Sequence, residues 1–333
     1  MTTIWALLTS AMRAVAVVYS VALVAGCQVD PGHGGRASRE WIEQLRRGDA
    51  KGREDAAVAL GNVLAVNPKL ERPVTALVAA LADTIDAVRV AASSALAQPG
   101  VIAIDALPGL AQMLNDSAHA SVRAQGVRAI GRLLSMSALA ERSKLLGSVV
   151  PAHRDGDAAV RAAVADALGR ITSSATTDTI VKQTLETLVR DSMASTRLRA
   201  VEALGSLPAM ARREALHTAL NDSSAAVRHA AVLQVRRDTL ALAEMQAQLV
   251  NLLADSSAPV RLAVVRALGS LSMARYPNVS TALRARLTDA DSTIRTEASH
   301  ALTRFHAQGG RDPSHEPTLL ERCKQLPPRT RGC

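Results

Sequence analysis

The stretch 255–269, DSSAPVRLAVVRALG, decides the fold of this 333-residue chain. It opens with an Asp, and Ser257 and Pro259 follow at the N-cap and first-turn positions where these residue types begin helices. From Val260 to Leu268 the apolar side chains recur at the spacing of one helical face. The stretch therefore predicts a turn and then a helix with one buried face. The equivalent N-cap positions in other copies are Asp157, Ser224 and Asp291.

The same pattern occurs seven times, an Asp followed six or seven residues later by an Arg, with the arginines 31 to 38 residues apart. The pairs are Asp83 and Arg89, Asp116 and Arg123, Asp155 and Arg161, Asp191 and Arg197, Asp222 and Arg228, Asp255 and Arg261, and Asp289 and Arg295. A period of this length is typical of solenoids in which each helix pair buries its apolar face by stacking on its neighbours. We therefore predict an all-α fold, an α-solenoid of about eight helix pairs over residues 39–306.

The repeated residues, as in Val260-Arg261 and Ala267-Leu268-Gly269, resemble HEAT repeats, in particular the short bacterial form also found in phycobilin-lyase-type proteins. The resemblance implies a right-handed superhelix whose first helices lie on the convex side and whose second helices line a concave groove. It also implies that the Asp and Arg residues form a ladder between adjacent repeats. The first repeat, with Asp49 and Arg53, departs from the spacing, and end repeats are commonly irregular because they act as caps.

Residues 1–26 are predicted to be a signal peptide. Arg13 precedes an apolar or small stretch, 14–26, which is too short to span a bilayer and suits a signal-peptide core. The segment Val24-Ala25-Gly26-Cys27 resembles the lipobox of bacterial lipoproteins, which implies that Cys27 is acylated and becomes the mature N-terminus. Two or three acyl chains give a stable membrane anchor. The alternative is an ordinary secretory signal that a Cys follows by chance.

The segments on either side of the solenoid carry further expectations. Gln28, in place of an Asp after the Cys, implies sorting to the outer membrane with the protein facing the periplasm. Residues 27–38 are rich in Gly and Pro and predict a flexible tether. Residues 307–333 predict an irregular tail that contains Cys323 and Cys333, either bonded to each other or present as two free thiols.

The amino-acid composition limits which kinds of molecule the protein is expected to bind. The net charge is +9, but much of the excess comes from one Arg per repeat, and aromatic residues make up only 2% of the chain. Nucleic-acid binders need a basic stripe or aromatic stacking platforms. The composition and the secretion signal therefore disfavour a nucleic acid as partner.

Counting from each ladder Arg predicts which side chains face the groove. The positions five residues beyond are Ser94, Arg128, Asp166, Glu202, Leu233, Arg266 and His300, and those one residue beyond are Val90, Ala124, Ala162, Leu198, His229, Leu262 and Thr296. These rows mix charges with apolar residues. Leu198, Leu233 and Leu262 could accept a helix or an extended peptide of a partner protein. Ordinary exposure of single leucines is the alternative.

The sequence offers no catalytic motif. The eight His residues are scattered without metal-binding spacing, and neither a phosphate-binding loop nor a nucleophile elbow is present. We therefore predict no cofactor and no metal. The leading hypothesis is a non-enzymatic, lipid-anchored scaffold that binds another protein through its groove. The alternative is an accessory or lyase-like enzyme subunit on the same scaffold, which rests on analogy of fold alone.

Overall fold

The computed structural model describes residues 32–101, 103–116, 118–136, 139–171, 178–271 and 276–307. The predicted signal peptide, Cys27, the first part of the tether (27–31) and the tail with Cys323 and Cys333 lie outside these residues. None of the helices in the described ranges combines the length and the apolar character that crossing a membrane requires. The chain divides after Met136 into two compact units.

The described part of unit 1 consists of three helix pairs. Its helices are α1 (Ser38–Arg47), α2 (Ala50–Val66), α3 (Glu71–Ala80), α4 (Asp86–Leu96), α5 (Leu107–Leu114) and α6 (Ala120–Met136). A 3-10 turn, Ile104–Ala106, leads into α5. The second helices of the pairs, α2, α4 and α6, stack on one another in chain order.

The described part of unit 2 consists of five pairs. Its helices are α7 (Leu139–Val149), α8 (Ala158–Leu168), α9 (Asp178–Leu188), α10 (Ala194–Ala203), α11 (Ala209–Leu220), α12 (Ala225–Val235), α13 (Thr239–Glu244), α14 (Gln246–Leu252), α15 (Ala258–Leu268), α16 (Pro277–Arg284) and α17 (Ser292–Ala307). The second helices, α8, α10, α12, α15 and α17, stack in order, and α13 with α14 forms one interrupted first helix. The eight pairs and the all-α class agree with the prediction from the period.

Small residues let successive second helices approach closely. A Cβ atom built on Gly269 would lie 2.9 Å from the Cβ of Ala301 in the next second helix, and one on Gly169 would lie 3.0 Å from the Cβ of Ala203. Both glycines come eight residues after a ladder Arg, so this position faces the following repeat. Because residues four apart share a helical face, the position four after the Arg faces the same way, and its residue Val265 is fully buried.

The turn before each second helix is built by the ladder Asp rather than by a Ser cap. In all seven turns an Asp Oδ1 accepts the backbone N–H two residues later, at 2.7–3.0 Å. Ser224 and Ser257 do occupy the predicted N-cap positions, but the expected capping hydrogen bonds from their side chains are absent. Their own N–H groups donate to Asp carboxylates, which are the stronger acceptors. Asp157 does cap α8, accepting from Ala159 N at 2.7 Å.

Candidate functional site

The ladder arginines bind the following repeat with two nitrogen atoms and their own repeat with the third. Arg228 Nε and Nη2 donate to Asp255 Oδ2 and Oδ1 at 2.6 and 2.8 Å, and its Nη1 donates to the backbone oxygen of Asp222 at 2.8 Å. This geometry recurs in three other pairs of unit 2, which are Arg161 with Asp191, Arg197 with Asp222, and Arg261 with Asp289. Each guanidinium therefore joins two neighbouring turns.

Unit 1 begins its ladder one repeat earlier than the spacing predicted. Arg53 donates to both carboxylate oxygens of Asp83, at 2.8 and 3.0 Å. Arg89 Nη2 donates to Asp116 at 2.7 Å and also to Asp86 at 2.6 Å. The prediction did not include Arg53 in the ladder because Asp49 lies only four residues before it, yet Arg53 precedes Arg89 by one ordinary period. The interval between Arg53 and Arg89 could therefore have identified Arg53 as a ladder residue.

Two predicted members of the ladder, Arg123 and Arg295, bind the backbone of their own turn. Arg123 Nη1 donates to the backbone oxygen of Asp116 at 2.8 Å. Arg295 Nη1 donates to the backbone oxygens of Asp289 and Ala290 at 2.7 and 3.0 Å. Both arginines thus keep the bond to their own turn. For Arg295, no carboxylate of the described residues lies within ion-pair distance.

Pairing holds the ladder groups in their charged forms. The Asp289 side chain is only 2% exposed. The hydrogen bonds that it accepts from Arg261 outweigh its burial and lower the pKa of the carboxyl from its usual 3.8 to about 2. Hydrogen bonding to Arg228 likewise lowers the pKa of Asp255, and the pKa values of the arginines themselves are raised. These paired arginines are therefore structural and do not offer free positive charge to an anionic ligand.

The predicted groove row of unit 2 changes its character along successive second helices. Asp166 on α8 and Glu202 on α10 are acidic, Leu233 on α12 is apolar, and Arg266 on α15 is basic. Leu233 is 38% exposed. Leu198 and Leu262, one residue beyond their ladder arginines, are half-buried. The order of the row is thus acidic, apolar and then basic.

The charged residues of this row are partly neutralised by neighbours that the sequence did not single out. Arg199 on α10 lies 3.0 Å from Glu202 and 3.9 Å from Asp166, so one cation serves both acids. Arg266 donates to Glu297 on α17 at 2.7 Å. Four of these side chains are at least 39% exposed, and that of Glu297 is 26% exposed. Solvent-exposed pairs of this kind are weak and can exchange for contacts with a partner.

In unit 1 the second helices form a groove of about 610 Å³ between α2, α4 and α6. Its lining includes the exposed Val58, the polar Asn62 and Ser94, and the predicted groove residue Arg128. Gln125 Nε2 donates to Ser94 Oγ at 2.8 Å and so links α6 to α4 across the groove. The predicted row one residue beyond each ladder Arg is not exposed throughout, because its member Ala124 is buried.

At the edge of this groove, Asp86, Asp116 and His119 place their ligand atoms within 4.8 Å of one another. Arg89 donates to both carboxylates, and His119 Nδ1 lies 2.6 Å from Asp86 Oδ2. Asp116 Oδ1 also accepts the backbone N–H groups of Ala118 and His119. Arg89 therefore already pairs with both carboxylates of the cluster, which joins the turns that carry Asp86 and Asp116.

Comparison with known proteins agrees with the architecture. A sequence profile described as HEAT repeats matches residues 239–331. A search of curated protein sequences returned no match. Among solved structures, the Escherichia coli protein YibA is similar, with a TM-score of 0.56 and 20% identity, over 80% of this chain and 92% of that one. Yeast importin-β (Kap95p) has a TM-score of 0.59 at 14% identity, over 83% of this chain and 41% of that one. These likenesses establish the α-solenoid fold.

Proposed function

We propose that the protein is a lipid-anchored scaffold, facing the periplasm, that binds another polypeptide through the groove face of its second helices. The observation that supports this best is that the charged residues fall into two groups, the ladder and the groove row, which differ in burial. The four Arg–Asp rungs of unit 2 are paired and largely buried, whereas the row from Asp166 to Arg266 is more exposed and held only by weak pairs. A surface of the second kind is free to exchange its contacts for those of a partner.

The chemistry of the row suits a polypeptide better than a small molecule or a nucleic acid. Protein interfaces combine a few desolvated apolar anchors with a polar rim. In unit 2 the half-buried Leu198 and Leu262 and the exposed Leu233 supply such anchors, and charged residues of both signs lie on either side of them. The likeness in fold to Kap95, for which a complex with Nup1 is known, is compatible with this role.

Two exposed leucines of unit 2 provide a matched test. Leu233 lies on a second helix and is 38% exposed, whereas Leu240 lies on a first helix and is 67% exposed. We expect Leu233→Asp to abolish capture of the partner from crosslinked membranes and Leu240→Asp to leave it intact. Both variants should keep the helicity and the melting temperature, because neither side chain is in the core. Capture that survives Leu233→Asp would place the binding surface elsewhere, and unfolding of that variant would show that Leu233 is a core residue.

The membrane anchor is tested independently of the groove. The segment Val24-Ala25-Gly26-Cys27 motivates the expectation that the mature protein begins at an acylated Cys27. Mass spectrometry of the N-terminal peptide should find two or three acyl chains, and Cys27→Ser should release the protein from the membrane fraction. A mature chain that begins at another residue, or a Cys27 without lipid, would refute the anchor and would leave the groove proposal standing.

A further inference from the structure

A cleft between the first two first helices of unit 1 brings together three arginines. Arg39 and Arg46 lie seven residues apart on α1 and therefore share one helical face. Arg72 lies on α3, the next first helix, which packs against α1. The three side chains line an open cleft of about 470 Å³, here called the basic cleft. The basic cleft is formed by first helices and is thus separate from the groove of the second helices.

These arginines differ from the paired arginines of the ladder. All three are exposed, and their side chains form no ion pair or hydrogen bond with the described residues. Two acids also line the cleft. Glu43 pairs with Arg47, which is outside the lining, at 2.9 Å, and Glu71 lies in the first turn of α3, where the helix dipole favours a negative charge. The lining therefore keeps an excess of positive charge that an external anion can pair with.

The shape and chemistry of the cleft suit a surface that carries many phosphates. The two other lining residues are Ile42 and Thr75, and the Thr75 hydroxyl already donates to the backbone oxygen of Glu71 at 3.0 Å. Small ligands are usually bound in concave sites that bury most of their surface, whereas the three arginines here are exposed. Guanidinium groups pair well with phosphate oxygens. An anionic membrane surface offers such groups without requiring enclosure.

The start of the described chain is fixed on the same helix α1. His33 and Arg36 exchange two backbone hydrogen bonds, at 2.9 and 3.1 Å. Trp41 Nε1 donates to the backbone oxygen of His33 at 3.0 Å, and the Arg36 guanidinium lies 4.0 Å from the centre of the Trp41 ring. Cys27 precedes Gly32 by five residues, which span at most about 18 Å. An anchor at Cys27 would therefore hold α1 close to the membrane.

From these observations we propose that the basic cleft of Arg39, Arg46 and Arg72 binds the phosphate groups of anionic lipids. The first helices α1 and α3 then lie on the membrane surface. The proposal rests on the anchor at Cys27, proposed above, for bringing this face to the bilayer. Because the groove of unit 1 is formed by other helices, it stays open to a polypeptide while the basic cleft is occupied.

Vesicle flotation tests the basic cleft separately from the lipid anchor. The full chain with Cys27→Ser is mixed with vesicles of phosphatidylcholine alone or of phosphatidylcholine and phosphatidylglycerol in equal amounts. We expect a preference of about tenfold or more for the anionic vesicles, because cations near an anionic surface add to binding. Replacing the three arginines of the cleft by Gln should remove most of this preference. The matched control removes the same charge from exposed arginines of unit 2 and should keep it; these are Arg170, Arg236 and Arg304.

A Lys variant at the three cleft positions keeps the charge and should keep the preference for anionic vesicles. An unchanged preference in the Gln variant, an equal loss in the control, or a loss in the Lys variant would overturn the proposal. None of these results depends on whether Cys27 is acylated, so the anchor can fail while the cleft proposal stands. Isothermal titration with inorganic pyrophosphate distinguishes a soluble anion. Its binding to the wild-type cleft, without any preference for anionic vesicles, would also overturn the membrane proposal.

Discussion

The substitution Asp289→Asn tests whether the ladder stabilises the fold. Asp289 accepts hydrogen bonds from Arg261 Nε and Nη2 at 2.9 and 2.8 Å, and Arg286 lies 3.4 Å from its Oδ2. Its Oδ1 also accepts the backbone N–H of Asp291. Asparagine keeps the size and one acceptor oxygen but removes the negative charge. The variant therefore isolates the electrostatic part of one rung.

The pKa of the carboxyl sets the size of the effect. Its decrease from 3.8 to about 2 on folding corresponds to roughly 2 kcal/mol of stability at neutral pH. Arg261, whose side chain is only 13% exposed, would in addition lose its carboxylate partner, which is costly for a partly buried charge. We expect Asp289→Asn to lower the free energy of unfolding by about 2 to 3 kcal/mol at pH 7.

The direction of the pKa shift determines how the stabilisation by Asp289 depends on pH. Because the carboxyl has the lower pKa in the folded state, its contribution is complete above about pH 4 and is lost as the pH falls through about 2. Urea unfolding followed by circular dichroism should therefore show a full difference between wild type and variant at pH 7. The difference should be about half as large at pH 3.

A matched control separates the ladder from ordinary surface pairs. Glu297 pairs with Arg266 on the exposed face, and Glu297→Gln should cost less than about 1 kcal/mol. Two results would refute the reasoning. One is an Asp289→Asn variant no less stable than Glu297→Gln, and the other is a loss of stability that remains undiminished at pH 3.

Two further predictions concern packing and caps. Gly269→Ala should destabilise the protein, by about 1 kcal/mol or more, because the added Cβ would lie 2.9 Å from that of Ala301. Gly147→Ala, whose Cβ would meet no atom within 4 Å, should instead stabilise its helix, by about 0.5 to 1 kcal/mol, and thermal unfolding of the two variants would compare them. Asp157→Ala removes a side-chain cap and should cost about 1 kcal/mol, whereas Ser224→Ala should be nearly neutral because Ser224 makes no capping bond. Equal losses in the last two variants, measured by urea unfolding, would contradict the account of the turns.

The fold was readable from the sequence because its determinants are local and repeated. An Asp before each second helix, an Arg six or seven residues later and apolar residues at helical spacing together fix the element boundaries to within a few residues. The periodic pattern survives single departures such as Thr196, which replaces the usual Val and is still fully buried. Repetition thus compensates for the weakness of any one copy.

The details of side-chain bonding could not be predicted in the same way. The sequence places Ser257 at the N-cap, and only the folded turn shows that its hydroxyl makes no capping bond while Asp255 accepts the N–H of Ser257. Arg199 lies three residues before Glu202, a helical pairing interval, but no interval along the chain marks Asp166 on the preceding second helix as its other partner. Arg53 was missed for the opposite reason, since its period was correct but its local Asp spacing was not.

The direction of the ladder bonds has a consequence for how such a chain can change in length. Within each unit, an interior repeat gives an arginine to the repeat after it and offers an aspartate to the one before it. Duplication or loss of one whole period keeps the number of ladder arginines equal to the number of ladder aspartates. A change of half a period would instead strand a charged group at the junction. Insertion or deletion of whole periods would therefore preserve the bonds that join neighbouring turns.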